Sequence, residues 1–128
     1  MKPIWSVGLM TGTVLDGNID VALLETDGER IETFGPYALV PYPPSIRAML
    51  EEAQSAARAW NFEGPDPAIF AGAEEALTRA QSAAVKQVVD EAGLATADIG
   101  VVGFHGQTVL HRGPQKGRPG DTRQLGDG

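Results

Sequence analysis

Apolar residues in the first third of the chain fall into three short runs, each of which predicts a β-strand. The runs cover residues 4–9, 19–25 and 31–40. Turn-forming residues separate them at 16–18 and 26–29, where Gly and Asn adopt positive φ at little cost. Connections this short predict an antiparallel meander of three strands.

The middle of the chain changes to helical spacing, with apolar residues three or four positions apart. A first helix is predicted up to Trp60, after prolines that stop strand pairing. A second is predicted from about residue 68 to Ala92, with Asp66 as its N-cap and Gly93 as the residue that ends it. The residues expected on the buried faces are Ile46, Met49, Leu50, Ala53, Ala57 and Trp60 in the first helix, and Ile69, Ala73, Ala76, Leu77, Ala80, Ala84, Val88 and Ala92 in the second.

The last third of the chain returns to strand patterns. Residues 99–104 form a nearly continuous apolar run, which is typical of a strand buried on both faces of an α/β sheet. An exposed Gly/Pro-rich loop is expected over 113–121, then a short strand over 122–125 and a turn over 126–128. The resulting order, β-β-β-α-α-β-β, predicts an α/β fold in one domain. Ending on a strand and a turn leaves a sheet edge uncovered, which favours a piece of a longer protein.

Length and composition agree with a single globular domain of 128 residues, 42% hydrophobic and 21% charged. The formal charge of −7 repels phosphate backbones and anionic lipid, so neither nucleic acid nor a membrane is expected as a partner. The absence of cysteine excludes disulfides, thiolate catalysis and cysteine-bound zinc. No apolar run has the length of a membrane span and no signal sequence is recognisable, so we expect a cytoplasmic protein.

The connection between the first two strands, residues 11–18, carries the strongest candidate chemistry. Its glycines let backbone N–H groups approach an anion, its threonines add hydroxyl donors, and Asp16 is a carboxylate of the kind that holds hydrated Mg²⁺. The segment matches neither the P-loop nor the dinucleotide-binding motif, and it contains no lysine. From the residues alone, an ordinary hairpin turn and an anion-binding loop are both open.

Two further segments place polar groups after strands. His105-Gly106-Gln107-Thr108 follows the apolar run 99–104, and α/β sheets bind ligands at the carboxyl ends of their strands. His and Gln can hydrogen-bond a sugar or a carboxylate, and a structural histidine at a strand end is an equal alternative. Asp127 lies between two glycines, a pattern more typical of a plain turn. The spacing of the carboxylates distinguishes none as a general base, and His105 and His111 lack an acidic neighbour that would complete a metal site.

Together these segments resemble the amino-terminal part of the anhydro-N-acetylmuramic acid kinase family. The resemblance is carried by GLMTGTVLDGNIDVALLETDG (8–28), IGVVGFHGQTVLHR (99–112) and TRQLGDG (122–128). It implies an actin-like ATPase lobe with ribonuclease H-like topology, in which residues 1–128 form part of the first lobe of a two-lobe kinase. It also implies ATP and Mg²⁺ as cofactors. In the implied reaction, water opens the 1,6-anhydro ring of anhydro-N-acetylmuramic acid and O6 is phosphorylated. The product, N-acetylmuramic acid 6-phosphate, belongs to peptidoglycan recycling and amino-sugar catabolism.

By position, the resemblance assigns a phosphate-binding loop to Gly12, Thr13, Val14, Leu15, Asp16, Gly17 and Asn18, with Asp16 near the metal. The family loop usually reads SGTSLDG, so Val14 replaces a hydroxyl-bearing residue and Asn18 is one residue extra. The resemblance assigns part of the sugar site to His105, Gly106, Gln107 and Thr108, with Asp127 in a turn that faces the cleft. The catalytic aspartate of the family belongs to a later motif. No catalytic residue is therefore expected in this chain, and the chain alone should not turn over substrate.

The partner implied by the resemblance is a small-molecule anhydro-sugar, and a homodimer is one expectation for the full-length protein. Two alternatives stay open. One is a different sugar kinase or ATPase of the same fold. The other is a non-catalytic binding module formed by the truncated lobe, which would expose a sheet edge and associate.

Overall fold

Two sheets and two helices form the fold of residues 2–11 and 17–128, the part of the chain that the computed structural model describes. The strands are β1 (Ile4–Met10), β2 (Asn18–Thr26), β3 (Ile31–Pro41), β4 (Ile99–Gly103), β5 (Gln107–Arg112) and β6 (Asp121–Leu125). The helices are α1 (Pro44–Trp60) and α2 (Ile69–Glu91), and a single 3₁₀ turn covers Thr96–Asp98. The larger sheet has the strand order β3-β2-β1-β4, and β5 pairs with β6 in the smaller one.

The first three strands form the predicted antiparallel meander. β1 pairs with β2 over its whole length, and β2 pairs with β3. The turn between β2 and β3 closes around Asp27, whose carboxylate accepts hydrogen bonds from the backbone N–H groups of Arg30 at 2.8 Å and Glu29 at 2.9 Å. Gly28 supplies the positive φ of 96° at this turn, a conformation that other residues adopt at a cost.

The fourth strand pairs with β1 in parallel, but it is not buried on both faces as its apolar sequence predicted. β4 is an edge strand, with Val101 52% and Val102 46% exposed. Apolar runs indicate burial on both faces only where a sheet continues past the strand and is covered by helices on each side. In the described part of this chain, nothing pairs with the outer edge of β4.

The predicted element order is confirmed except for one strand that the sequence analysis missed. Residues 107–112 form β5, which pairs with β6 in antiparallel fashion, from Gln107 opposite Leu125 to Arg112 opposite Asp121. The prediction placed His105-Gly106-Gln107-Thr108 at the end of one strand, whereas the segment joins two. Its first two residues lie between β4 and β5, and its last two open β5.

The core lies between the helices and one face of the larger sheet. Alternate residues of β1 and β2 face it, and α1 and α2 supply the other half, so the predicted helix faces are confirmed in the main. Its buried members are Val7, Leu9, Ile19, Val21 and Leu23 from the strands, Leu50, Ala53 and Ala57 from α1, and Phe70, Ala73, Leu77, Ala84, Val88 and Val89 from α2, with Tyr42, Val109 and Leu125. The predicted faces omitted Phe70, Val89 and the buried polar residue Gln81.

The opposite face of the larger sheet is apolar and exposed. The strand registers place Tyr37, Leu39 and Met10 on this face, together with Val101 of β4. These side chains are between 50% and 64% exposed, and Phe34 of β3 is 77% exposed. No helix of the described chain packs against them, so both helices serve one side of the sheet.

The C-terminal end of α2 agrees with the prediction, whereas its N-terminal end does not. Gly93 has φ 75° and donates to the Asp90 carbonyl at 3.0 Å, which ends the helix as expected. The proposed N-cap at Asp66 is wrong, because α2 begins at Ile69 and the Asp66 carboxylate pairs with Arg123 at 2.9 Å. Neither α1 nor α2 combines the length and the apolar character that crossing a membrane requires.

The turn at Asp27 predicts a pH dependence of stability. Hydrogen bonds from the backbone N–H groups of Arg30 and Glu29 lower the pKa of Asp27 below its ordinary value, which is about 3.9. Because the pKa of Asp27 is lower in the folded chain, its ionised form stabilises the fold, and this stabilisation is complete above the ordinary pKa. The stabilisation is lost as the pH falls through the lowered pKa. Asp27→Ala should therefore reduce the Tm at neutral pH, and its deficit should shrink as the pH falls below about 4.

Thermal unfolding followed by circular dichroism across this pH range checks the prediction. Asp27→Asn is the matched control, because its amide oxygen keeps an acceptor but does not titrate. The difference in Tm between Asp27→Asn and Asp27→Ala should not change with pH. A deficit in Asp27→Ala that is unchanged in acid would contradict the assigned role.

Candidate functional site

The parallel pairing of β1 and β4 brings two of the predicted ligand segments to one edge of the sheet. Gly8 lies opposite Gly103 in this pairing, so the carboxyl ends of the two strands are adjacent. Thr11 follows β1 at this edge, and His105 follows β4 there. Ligands of α/β sheets bind outside the carboxyl ends of the strands. The described residues on either side of the predicted phosphate loop, Thr11 and Asn18, therefore lie at the same edge of the sheet as His105.

Most of the predicted phosphate loop lies outside the described residues. This applies to Gly12, Thr13, Val14, Leu15 and Asp16, including the predicted metal ligand, and their roles stay predictions.

The end of the loop, Gly17 and Asn18, lies within the described residues and contacts the segment before α1. Gly17 has φ 90°, and its carbonyl accepts a hydrogen bond from the Tyr42 backbone N–H at 2.8 Å. Asn18 begins β2 opposite Pro41. The last residues of the loop are therefore fixed against the connection from β3 to α1.

A positively charged side chain, that of Arg47, lies next to this end of the loop. The guanidinium of Arg47, on the first turn of α1, lies so close to Gly17 that a β-carbon at Gly17 would be 2.9 Å from Arg47 Nη1. Arg47 Nε also pairs with Glu51 at 3.4 Å, and the Arg47 side chain is about half exposed. Sequence reasoning noted that the loop lacks a lysine but did not find this arginine, which lies thirty residues further along the chain.

Two polar atoms near the loop have no partner among the described residues. One is the Thr11 hydroxyl, on a residue only 2% exposed, and the other is Oδ1 of Asp20, opposite Met10 at the start of β2. A buried polar atom without a partner is costly, and such atoms often mark a place where a ligand or ion binds. Asp20 was one of several carboxylates that the sequence did not distinguish. Within residues 2–11 and 17–128, no group of three or more His, Asp or Glu side chains is arranged to hold a metal ion.

The His105–Thr108 segment is packed more tightly than a freely accessible binding loop. Gln107 is fully buried and its Nε2 donates to the Thr108 carbonyl at 3.1 Å. The amide of Gln124 lies 3.5 Å from His105 Nε2 and donates to the Thr108 hydroxyl at 3.3 Å. His105 Nδ1 is buried without a partner in the described chain. His105 and Thr108 are half-buried, whereas Gln107 is fully buried.

The turn at residues 126–128 meets this segment. Gly126 adopts φ 144° and lies against the Phe104 ring, which a β-carbon at this position would displace. Gly106 lies against the same turn, since a β-carbon there would be 2.7 Å from the Leu125 carbonyl oxygen. The side chain of Asp127 is exposed. The structure therefore brings the 126–128 turn against Phe104 and Gly106, the residues on either side of His105.

Side chains of α2 fix both segments by bonding to their backbone. Glu74 accepts from the Gly126 N–H at 2.9 Å, and Thr78 accepts from the Asp127 N–H at 3.1 Å. The Gln81 amide donates to the His105 carbonyl at 3.3 Å. Sequence reasoning missed these contacts. A signal was present for Gln81, which lies four residues after Leu77 and three before Ala84 on the buried stripe of the helix.

A cavity of about 370 Å³ opens beside these contacts, between α2 and β4. Its polar lining includes Gln81, Lys86 and Asp127, and the Phe104 ring forms part of its apolar wall. This volume is in the range of small-molecule sites.

Two other candidates act within the fold. Arg112 pairs with Asp121 at 2.7 Å and stacks 5.0 Å from the centre of the Phe62 ring. His111 Nδ1 lies 2.7 Å from the Thr122 hydroxyl. Both residues connect β5 to neighbouring structure.

Comparison with known proteins identifies the segment. The family model described as anhydro-N-acetylmuramic acid kinase matches residues 5–128. Proteins named anhydro-N-acetylmuramic acid kinase from Rhizobium rhizogenes and Brucella anthropi are each 77% identical over the whole chain, and one from Phenylobacterium zucineum is 46% identical over 94% of it. The chain spans about a third of the length of these relatives, 34% for the first two and 32% for the third.

The contact between Gly106 and the Leu125 carbonyl predicts a specific sensitivity to substitution. Gly106→Ala would place a methyl group 2.7 Å from that oxygen, so the start of β5 and the 126–128 turn must move apart. We expect a loss of about 2 kcal/mol of stability, typical of overpacking, measured by urea denaturation. Gly113→Ala is the control, because nothing lies within 4 Å of a β-carbon there. Equal losses for the two variants would show that the contact does not constrain the site.

Proposed function

Because the chain belongs to the anhydro-N-acetylmuramic acid kinase family, we propose that the protein carrying it phosphorylates anhydro-N-acetylmuramic acid with ATP and Mg²⁺. Water opens the 1,6-anhydro ring, O6 receives the phosphoryl group, and the product is N-acetylmuramic acid 6-phosphate, formed in peptidoglycan recycling. The observation that supports this proposal is the parallel pairing of β1 with β4, which puts Thr11, the residue before the predicted phosphate loop, at the sheet edge where His105 follows β4.

The described residues around the loop fit a magnesium–nucleotide complex. The free Asp20 carboxylate oxygen is the hard oxygen ligand that Mg²⁺ prefers, and it would share that role with the predicted ligand Asp16. The Thr11 hydroxyl and the Arg47 guanidinium are donors suited to phosphate oxygens. Bound Mg²⁺ would neutralise charge on the phosphates. The loop lacks a lysine of its own, and Arg47 would supply that charge from α1.

We assign the sugar side of the site to polar residues of the 105–108 segment and the 126–128 turn. We propose that His105 and Thr108 hydrogen-bond sugar oxygens and that the exposed Asp127 carboxylate accepts from sugar hydroxyls. Gly106 would let the sugar approach the backbone. The fully buried Gln107 would act indirectly, by fixing the start of β5 through its bond to the Thr108 carbonyl.

The chain holds half of the reaction site. Phosphoryl transfer depends on positioning and charge stabilisation, so both substrates must be held at once. We assign no residue here as the base that activates water, and we expect that aspartate in the remaining length of the full protein. The sheet order, with a meander followed by a parallel strand, supports placing the chain in the first lobe of a two-lobe, actin-like kinase. A cytoplasmic location and a homodimer of the full protein are part of the same proposal.

The function is tested with a protein of the relatives' full length that carries this chain. We expect ATP- and Mg²⁺-dependent conversion of the anhydro-sugar to a product heavier by one water and one phosphoryl group, detected by mass spectrometry. Glucose and N-acetylglucosamine should be poor acceptors, and the 128-residue chain alone should be inactive. Preference for another sugar would favour a related kinase of the same fold. Turnover by the 128-residue chain would overturn the division of the site.

An arginine variant of the same full-length protein tests the phosphate side. Arg47→Ala should raise the KM for ATP about tenfold, the loss expected for one charge-assisted hydrogen bond, with the KM for the sugar little changed. Arg79→Ala is the matched control, since Arg79 is exposed and pairs only with Glu75 among the described residues. Equal changes in both KM values, or none, would remove Arg47 from the nucleotide site.

A further inference from the structure

We propose that one face of α2 is a positioning element that sets the two sugar-binding segments relative to each other. The residues are Glu74, Thr78 and Gln81, whose side chains bond to the backbone of these two segments. This inference rests on the proposed function, because it assumes that His105 and Asp127 bind the sugar.

The three side chains lie on one face of a single rigid helix. They are spaced four and three residues apart, which is the spacing of neighbours along a helix face. Glu74 and Thr78 accept from two consecutive N–H groups of the 126–128 turn, and Gln81 donates to the carbonyl of His105. In the first two bonds, at least 45 residues separate the helix residue from its partner along the chain. Local chain geometry therefore does not impose these bonds.

These bonds act on the backbone of the residues whose side chains are assigned to the sugar. Thr78 holds the N–H of Asp127, and Gln81 holds the carbonyl of His105. A rotation of either peptide group would swing the attached side chain away from the substrate. Because catalysis by positioning is sensitive to displacements of about 1 Å, small losses of order here should reduce turnover more than they reduce stability.

The burial of Gln81 supports a role beyond packing. Gln81 is 2% exposed on an otherwise apolar stripe between Leu77 and Ala84, where an apolar side chain of similar size would pack without a desolvation penalty. Only its Nε2 is bonded, and its Oε1 has no partner in the described chain. The bond to His105 is therefore the one polar contact in the described chain that offsets the burial of this amide.

The test compares variants that keep or remove the polar atom at constant volume. Thr78→Val removes the hydroxyl, and Thr78→Ser keeps it. Gln81→Met removes the donor but preserves the length of the side chain. Glu75→Ala is the control, since Glu75 is exposed beside Glu74 and pairs only with Arg79 among the described residues. Each is made in the full-length protein, with kinetics for both substrates and amide hydrogen exchange at Asp127, whose N–H donates to Thr78.

We expect Thr78→Val and Gln81→Met to lower kcat/KM for the sugar about ten- to a hundredfold while the KM for ATP stays unchanged. Exchange at the Asp127 amide should speed up in Thr78→Val, and Thr78→Ser should restore both readouts. Unchanged sugar kinetics despite faster exchange would overturn the positioning role. Equal effects on the ATP and sugar kinetics would also overturn it, since they indicate general destabilisation. An inactive wild-type protein would instead count against the proposed function, and the exchange readout would still decide whether the bond from the Asp127 N–H to Thr78 exists.

Discussion

The parallel pairing of β4 with β1 is the interaction on which the rest of the site depends. The chain leaves the meander, passes through two helices and returns beside its first strand, running in the same direction. A parallel partner, unlike an antiparallel one, puts both strand ends at the same edge. Thr11, which follows Met10, and the segment that follows Gly103 lie at the same edge of the sheet for that reason. The helical crossover that this return requires also supplies α1 with Arg47 and α2 with its polar face.

Both helices cover one face of the sheet, and this asymmetry shapes the molecule. The covered face holds the core, while the other carries exposed Phe34, Tyr37 and Leu39 on β3. Apolar patches of this kind on a soluble protein usually mark a surface that another segment or chain covers. The site lies at the edge of the larger sheet. Its polar atoms are fixed by α2 on one side and by β6 on the other, so it is built on regular elements more than on free loops.

The sequence predicted what local chemistry determines and missed what depends on distant partners. The meander, the helix faces and the stop at Gly93 follow from spacing and turn residues, and all are confirmed. Asp66 had the form of an N-cap, but a guanidinium 57 residues away competes for its carboxylate. Val101 and Val102 have a buried-strand pattern, yet nothing in the described chain covers the edge where they lie. The grouping of His105 with Asp127 came from a resemblance, and the helix residues that hold the two segments carry no motif.

The most direct test of the account is a crosslink across the β1–β4 pairing. The chain contains no cysteine, so Gly8→Cys with Gly103→Cys gives a single pair, directly opposite in the parallel register and with room for both side chains. Mild oxidation followed by intact-mass measurement should show an intramolecular disulfide in this pair. Gly8→Cys with Gly113→Cys should remain reduced. A Gly8–Gly103 pair that stays reduced, or links only between molecules, would contradict the parallel β1–β4 pairing on which the proposed site depends.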